Sequence, residues 1–113
     1  MIEITINRTE SDSIHSFTMS GHAKFARHGE DIVCAGASAV SVGAINAVHV
    51  LTGVTPEFEN KHGYLRCVIP ENLPEETHGK VQLLLEGMAV SLRAIEEEYG
   101  KHIKITFKKQ EVE

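Results

Sequence analysis

Cysteine is scarce in this sequence, which contains only Cys34 and Cys67 among 113 residues. Two cysteines are too few for the disulfide scaffold of a small secreted domain, and a reducing compartment would keep both as thiols. A single disulfide between them is the alternative.

The segment from Met1 to Arg8 alternates apolar and polar residues and so lacks the apolar core of a secretory signal. No uninterrupted stretch approaches the ~20 apolar residues of a membrane span. We therefore expect a cytoplasmic protein without a membrane segment.

The sequence also has fewer cationic than anionic residues. It contains 11 Lys and Arg and 16 Asp and Glu, so its formal net charge is -5. A nucleic-acid groove needs clustered Lys and Arg, so this balance argues against direct nucleic-acid binding. The sequence also lacks internal repeats, low-complexity tracts and linkers. Its 42% hydrophobic and 24% charged residues are ordinary for a globular protein, and we expect residues 1–113 to form a single domain.

The N-terminal half predicts two strands, a loop and a helix. Residues 2–7 and 13–19 alternate apolar and polar side chains, which is typical of a half-buried β-hairpin. Residues 21–31 have no stable period and predict a loop. From Ile32 to about Leu51 the residues are apolar or small on nearly every side, and a helix that is apolar all round is expected to be buried. Gly53 is placed to end this helix.

The C-terminal half predicts a second hairpin, a helix and a final strand. Residues 54–60 and 64–69 are the two strands, joined by a turn at 61–63, and residues 101–109 return to alternation. Between them, apolar residues recur at steps of three and four until Gly100 stops the helix: Val81, Leu84, Leu85, Met88, Leu92, Ile95 and Tyr99. The order β-β-α-β-β-α-β predicts an α+β fold with a mixed or antiparallel sheet and two helices packed on it.

Cys34 is the first candidate for chemistry because it follows a glycine-containing loop and lies in the first turn of the predicted helix. Asp31 is a candidate N-cap, which makes Cys34 the third helical residue. Free backbone N–H groups and the positive helix end then favour the thiolate form of Cys34, although the charge of Asp31 opposes this effect. The N–H groups of residues 33–35 are candidates for an oxyanion site.

His22 lies at the other end of the same loop and is the candidate base. A loop that folds back brings its imidazole to the Cys34 sulfur, so that His22 takes the thiol proton and later donates it to a leaving amine. Residue types alone leave a structural interpretation open. In that interpretation Cys34 is a small buried residue at a helix start, and His22 is a polar loop residue.

Two short motifs separate these interpretations. The segment Gly21-His22-Ala23, followed by residues 29–35 (Gly-Glu-Asp-Ile-Val-Cys-Ala) and then Ser38, resembles the signature of the ribosomal-processing cysteine protease family, Prp. The resemblance covers most of the chain, including the opening hairpin and the long helix before a last strand. It departs from the family at Gly36 and Ala37, where Ala and a branched apolar residue are common.

The resemblance implies a function. It assigns His22 as the general base and acid and Cys34 as the nucleophile. It implies an endopeptidase that removes the N-terminal extension of a bacterial large-subunit ribosomal protein, the one numbered twenty-seven, and so supports ribosome assembly. The family cleaves after aromatic residues, so we expect an apolar groove near Cys34, lined in part by Phe25, under a substrate loop that includes Gly21 and Gly29. Asp31 and Ser38 are possible supporting residues.

Other assignments remain to be weighed. His28 shares the loop and is the alternative base, while His22, His28 and Cys34 together form a poor zinc set, because no Cys-x-x-Cys or His-x-x-x-His pair is present. We expect neither a metal nor a cofactor.

The competing function is a ribosome-associated or thiol redox-sensing module, which needs only a reactive Cys34. Cys67 lies in a strand and receives no role. The Ala/Gly/Ser-rich helix, together with the resemblance, predicts a homodimer.

Overall fold

The computed structural model of this protein describes residues 1–21, 30–61 and 63–109. Within them, five strands and two helices follow the predicted order β-β-α-β-β-α-β. The strands and helices have these bounds: β1 Ile2–Arg8, β2 Ile14–Ser20, α1 Glu30–Thr52, β3 Glu57–Lys61, β4 Tyr64–Val68, α2 Glu75–Tyr99 and β5 Ile103–Lys109. The α+β fold class is therefore confirmed.

The five strands form one mixed sheet in the order β3-β4-β2-β1-β5. Strand β1 lies antiparallel to β2, with Ile6 opposite Phe17, and parallel to β5, with Ile4 opposite Ile105. The other two pairs, β2 with β4 and β3 with β4, are antiparallel. The parallel pair forms because α2 carries the chain back across the sheet before β5 begins.

The alternation in the strands decides which face of the sheet is buried. Ile2, Ile4 and Ile6 of β1 are each at most 3% exposed, and their side chains share one face because the strand period is two. Both helices cover this face. Five buried residues of α2 pack into the same core: Val81, Leu85, Met88, Ala89 and Leu92. The opposite face of the sheet is polar and carries, for example, Glu3 and Lys104, which are opposite each other.

Helix α1 differs from its prediction in two respects. It begins at Glu30, so two residues assigned to the loop are helical. It is also not buried all round, because only one face is in the core, through Val33, Ala37, Ser41, Ile45 and Val48. Its outer face reaches solvent. The segment Ile32–Thr52 is long and apolar enough to cross a membrane by length and composition, contrary to our expectation. A core helix of a globular protein passes the same test, and α1 packs against α2.

Turn chemistry explains the other boundaries. Strand β3 begins at Glu57 instead of residue 54, because Pro56 has no N–H for a strand ladder. Strand β5 begins at Ile103, because the N–H of His102 donates to the Tyr99 carbonyl oxygen at 2.8 Å in the preceding turn. The Gly53 N–H donates to the His49 carbonyl oxygen at 2.9 Å and ends α1 as predicted.

Candidate active site

The start of α1 and the end of β2 lie at the same end of the sheet. Gly21 follows Ser20, which pairs with Glu3 near the start of β1. A Cβ placed on Gly36 of α1 would lie 3.8 Å from Ile95 Cδ1, so the first turns of α1 contact the C-terminal half of α2. Helix α2 ends at Tyr99, a few residues before β5 begins beside Ile2. The C-terminal half of α2 therefore lies at the end of the sheet where β1 begins.

Cys34 is the fifth residue of α1 and faces inwards. It is partly exposed and packs against the core, next to the buried Val33. Ala37, on the same side of the helix one turn later, is completely buried. A partly exposed thiol at this position is accessible from solvent and lies close to the partial positive charge of the helix N-terminus.

The earlier start of α1 changes the expected oxyanion site. In an α-helix each N–H bonds to the carbonyl four residues before it. With Glu30 as the first helical residue, the N–H groups of Cys34 and Ala35 belong to the helical hydrogen-bond ladder, opposite the carbonyls of Glu30 and Asp31. The helix therefore uses the N–H groups of Cys34 and Ala35, and the donors left for an oxyanion are side chains and the backbone N–H groups at the very start of α1 or before it. Asp31 is the second residue of the helix and not its N-cap.

Two serine hydroxyls lie buried on the same side of α1 as Cys34. Ser38 is four residues after Cys34 and Ser41 is seven, so both lie on the Cys34 side of the helix. The Oγ atoms of both serines are buried, and neither has a hydrogen-bond partner among the residues that the structure describes. Buried polar atoms without a partner are rare in folded proteins and often mark a functional site or a water position. Sequence reasoning singled out Ser38 but missed Ser41, whose spacing from Cys34 was the available signal.

Gly21 fixes the point where the chain leaves β2. Its φ is +101°, a conformation that side chains rarely adopt. A Cβ at this position would overlap the Met1 carbonyl oxygen. The end of β2 is therefore pressed against the backbone at the start of β1, and only glycine fits there.

Several predicted site residues lie outside the described part of the chain. These are the candidate base His22, the alternative base His28, and the loop residues Phe25 and Gly29. The pairing of an imidazole with the Cys34 sulfur thus stays a prediction, and the zinc set that the sequence argues against includes two residues outside the described ranges. The described site consists of Cys34, Ser38 and Ser41 on α1 and of Gly21 at the end of β2.

The second cysteine differs sharply from Cys34. Cys67 lies in β4 with no exposed surface, and neither cysteine is in a disulfide. Burial raises the pKa of the Cys67 thiol to about 12, against a smaller lowering effect of the Arg66 charge. Cys67 is therefore an unreactive core residue, as the sequence suggested.

A large cleft lies at the opposite end of the sheet. It has a volume of about 870 Å³ and lies between the β1–β2 turn and the segment before α2. Within it His78 Nε2 lies 3.1 Å from Ser13 Oγ, and Gln82 exchanges two hydrogen bonds with the backbone of Ile14, at 2.7 and 2.8 Å. These groups tie α2 to β2. No group of three metal-ligating side chains occurs within the described ranges.

Known proteins resemble this chain over nearly its whole length. The family described as cysteine protease Prp matches residues 1–104. The ribosomal processing cysteine protease Prp of Bacillus subtilis (strain 168) is 48% identical over 108 residues, which cover 94% of this chain and 96% of the relative. The protein of the same name from Staphylococcus aureus (strain NCTC 8325 / PS 47) is 38% identical over 112 residues, covering 96% of this chain and all of the relative.

Two solved structures share the fold. The essential ribosomal processing protease Prp from S. aureus in complex with a substrate peptide has a TM-score of 0.85 at 34% identity, covering 96% of this chain and 100% of that one. The same protease with a covalently linked product peptide has a TM-score of 0.81 at 36% identity, with the same coverage. With this fold and with a partly exposed cysteine near the start of α1, the chain belongs to the Prp family of cysteine proteases.

Proposed function

We propose that this protein is the endopeptidase that removes the N-terminal extension of a bacterial large-subunit ribosomal protein, number twenty-seven, through Cys34 and His22. The observation that carries the proposal is the position of Cys34, partly exposed near the N-terminus of α1, whereas the other cysteine is sealed in the core. The S. aureus relative, which shares this fold, has been solved with a substrate peptide and with a covalently linked product peptide. A covalent product is what a thiol nucleophile forms.

The reaction follows from the chemistry of a thiol and an imidazole. His22 takes the proton from Cys34 Sγ, and the thiolate attacks the carbonyl carbon of the scissile peptide bond. The tetrahedral intermediate collapses when His22 gives its proton to the leaving amine, which leaves a thioester on Cys34. Water then loses a proton to His22 and attacks the thioester, so that the acid product leaves and the thiol is restored.

Electrostatics at the start of α1 explain why a histidine is needed. The first two residues of α1, Glu30 and Asp31, are both acidic. Negative charge near a thiol opposes its ionisation. In the proposed pair, an imidazolium at residue 22 offsets that charge.

Ser38 and Asp31 are the proposed supporting residues. The Ser38 Oγ atom is buried one helical turn from Cys34, without a partner among the described residues. A hydroxyl in this position has a free donor and free acceptors for a group that arrives with the substrate or the base. Asp31 stands three residues before Cys34, at the end of α1 that the loop reaches. A carboxylate here suits the second ring nitrogen of His22.

The segment from Gly21 to Gly29 is the proposed substrate loop. Its first residue, Gly21, lies against the backbone of Met1. We assign Phe25 to the wall of an apolar groove for the aromatic residues that precede the cleaved bond. The protein works in the cytoplasm as a homodimer, without a cofactor or metal and without direct contact to nucleic acid.

A peptide cleavage assay tests this function. The parent protein, Cys34→Ala and Cys67→Ala are each incubated with a peptide that copies the N-terminal extension of the ribosomal protein, and the products are identified by mass spectrometry. We expect cleavage at one bond by the parent and by the folded Cys67→Ala variant, and none by Cys34→Ala. The parallel pair His22→Ala and His28→Ala identifies the base, because only the first should abolish turnover.

The opposite results are equally informative. If the folded parent leaves the peptide intact, the proposed substrate is wrong. If Cys34→Ala still cleaves, the proposed nucleophile is wrong. A parent that does not cleave but whose Cys34 is oxidised reversibly by peroxide would instead support the thiol-sensing module.

A further inference from the structure

The sheet has two edge strands, β3 and β5, and they differ in how their outer backbone groups are used. In β5 the Ile105 N–H donates to Glu96 Oε2 of α2 at 2.7 Å instead of to another strand. This strand also carries Lys104, Lys108 and Lys109, and lysines on an edge discourage pairing with a further strand. The protein itself therefore protects the β5 edge.

The ladder between β4 and its neighbours decides which backbone groups of β3 point outwards. In an antiparallel sheet the residues of a central strand bond alternately to the strands on its two sides. The N–H of Ile69, the residue after β4, donates to the His15 carbonyl oxygen of β2 at 3.0 Å. The odd-numbered residues of β4 therefore bond to β2, and the even-numbered ones bond to the odd-numbered residues of β3. This leaves the N–H and C=O groups of Phe58 and Asn60 pointing away from the sheet.

The outer edge of β3 is open to solvent. All residues of this strand are exposed, and Phe58 is 44% exposed although it lies opposite the completely buried Cys67. No residue in the described ranges bonds to the outward backbone groups of Phe58 or Asn60. The edge thus presents N–H donors and carbonyl acceptors beside an exposed aromatic ring. An extended peptide can add to such an edge as a further strand.

The last residue of β3 lies at the same end of the sheet as Cys34. Lys61 pairs with Tyr64, Tyr64 pairs with Ser20, and Ser20 directly precedes Gly21 of the candidate site. A further strand beyond β3 would lie three strand spacings from β2, or ~14 Å, which about four extended residues span. A polypeptide held at Cys34 can therefore reach the β3 edge within a few residues of the bond that is cleaved.

Direction and charge indicate which part of a substrate fits this edge. Antiparallel pairs are slightly more stable than parallel ones, and a strand antiparallel to β3 runs away from the Cys34 end. Such a strand is the segment that follows the cleaved bond. In the proposed substrate it begins the mature ribosomal protein, which needs Lys and Arg to neutralise RNA phosphates. Its positive charge complements Glu57 and Glu59 of β3, although Glu57 also lies 3.7 Å from Arg66.

We propose that the outer edge of β3 binds the substrate segment that follows the cleaved bond, as a sixth, antiparallel strand of the sheet. The backbone groups of Phe58 and Asn60 exchange hydrogen bonds with every second residue of this segment, and Glu59 attracts its basic side chains. The edge thereby selects substrates with an extended, basic sequence beyond the bond that Cys34 attacks. This inference rests on the proposed function and deepens it, but strand addition can be measured without cleavage.

Hydrogen exchange tests strand addition directly. The Cys34→Ala protein is mixed with a long peptide that copies the N-terminal extension and the first residues of the mature ribosomal protein, and amide exchange is followed by NMR. We expect the amides of Phe58 and Asn60 to exchange rapidly in the free protein and at least ~10-fold more slowly in the complex. The amide of Glu59, which bonds to β4, should exchange slowly in both states and is the internal control.

A proline substitution tests whether the edge contributes to substrate choice. Asn60→Pro removes an outward N–H that the fold does not use, and an edge strand tolerates proline at such a position. The ratio of kcat/KM is measured between the long peptide and a short one that ends just after the cleaved bond, with circular dichroism to verify the fold. We expect the parent to prefer the long peptide at least ~10-fold, mainly through KM, and Asn60→Pro to lose most of this preference. Asn60→Ala keeps the N–H and should retain the preference.

The results that would overturn this inference differ from a failure of the proposed function. The function fails if the folded parent cleaves neither peptide. The inference fails if the long peptide is cleaved but does not slow exchange at Phe58 and Asn60, or does not bind the Cys34→Ala protein. It also fails if these amides are already protected in the free protein, or if the preference for the long peptide survives in folded Asn60→Pro.

Discussion

At the residue scale, the core face of α1 carries hydroxyls where apolar side chains would stabilise the fold better. Ser41 has no exposed surface, and its Oγ atom has no partner within the described part of the chain. Its neighbours on this face, Ala37 and Ile45, are apolar and buried. A buried hydroxyl without a hydrogen bond costs about 1–3 kcal/mol. The Ser41 hydroxyl therefore lowers the stability of the fold at a position close to Cys34.

Replacement of Ser41 by Ala should stabilise the protein. We expect the free energy of unfolding to rise by about 1 kcal/mol, because the unpaired hydroxyl is removed. Ser91→Ala, at an exposed position of α2, is the control for the higher helix propensity of Ala, which contributes up to about 0.5 kcal/mol. Urea denaturation of all three proteins measures the difference. A Ser41→Ala variant that is less stable than Ser91→Ala would show that the hydroxyl has a partner, such as a buried water.

The two cysteines should react very differently with iodoacetamide. With a pKa of about 12, only about one Cys67 thiol in ten thousand is ionised near pH 8, and the side chain is buried. We expect peptide mapping to find the label on Cys34 alone until denaturant opens the core. Equal labelling rates at both cysteines in the folded protein would contradict the burial of Cys67.

At the scale of elements, an ion pair fastens the sheet to α2. Arg8 at the end of β1 donates two hydrogen bonds to the Glu86 carboxylate, at 2.6 and 2.8 Å. Its guanidinium also lies 5.4 Å from the ring centre of Phe107 in β5, and Arg93 lies 5.3 Å from the same ring. Three elements thus meet at one charged and aromatic cluster.

This pair should make stability depend on pH in the acid range. The hydrogen bonds from Arg8 lower the pKa of Glu86 from its ordinary value of 4.5, against a smaller raising effect of burial. The folded state therefore binds the proton less well than the unfolded state. The contribution of the pair is complete above the unfolded pKa and is lost as pH falls through the folded pKa.

Glu86→Gln measures that contribution. Because the Glu86 side chain is 43% exposed, we expect a loss of only about 0.5–1 kcal/mol near neutral pH. The difference between the parent and the variant should shrink below pH ~4.5. Glu76→Gln, whose partner Lys80 is 3.4 Å away on the exposed surface, should change little. Urea midpoints over this pH range test both, and a constant difference between parent and Glu86→Gln would refute the linkage.

Gly21, where the chain leaves β2, should tolerate no side chain. Gly21→Ala forces a methyl group against the Met1 carbonyl and requires a φ of +101° from alanine. We expect a loss of at least ~1–3 kcal/mol in the free energy of unfolding. Gly87→Ala, in a helical position with open space around it, should instead gain about 0.5–1 kcal/mol. A Gly21→Ala protein as stable as the parent would show that the two strand ends are not pressed together.

At the scale of the whole molecule, the candidate active site and the large cleft lie at opposite ends of the sheet. Cys34 and Gly21 lie at the end where β1 begins, and the 870 Å³ cleft lies where β1 ends. This cleft is thus separate from Cys34. Two of its polar contacts, Ser13 with His78 and Gln82 with the backbone of Ile14, join α2 to the start of β2.

The element order was predictable because local patterns were clear. Alternation at Ile2, Ile4 and Ile6 and the three-and-four spacing from Val81 to Leu92 survive in the structure as buried faces. The start of α1 was not predictable in the same way, because the acidic residues Glu30 and Asp31 are as compatible with a cap or a loop as with a first helical turn.

The amino-acid sequence by itself determined the alternating and helical periods, the family motifs and the choice of Cys34, because these depend on residue type and short-range spacing. Only the tertiary structure decided which apolar residues are covered. Helix α1 looks buried from its composition, yet α2 and the sheet cover one side of it, so Val50 and Ile32 stay in solvent. The same packing leaves Ser41 and Cys67 without exposed surface. Burial depends on which elements meet in space, and a single helix sequence does not contain that information.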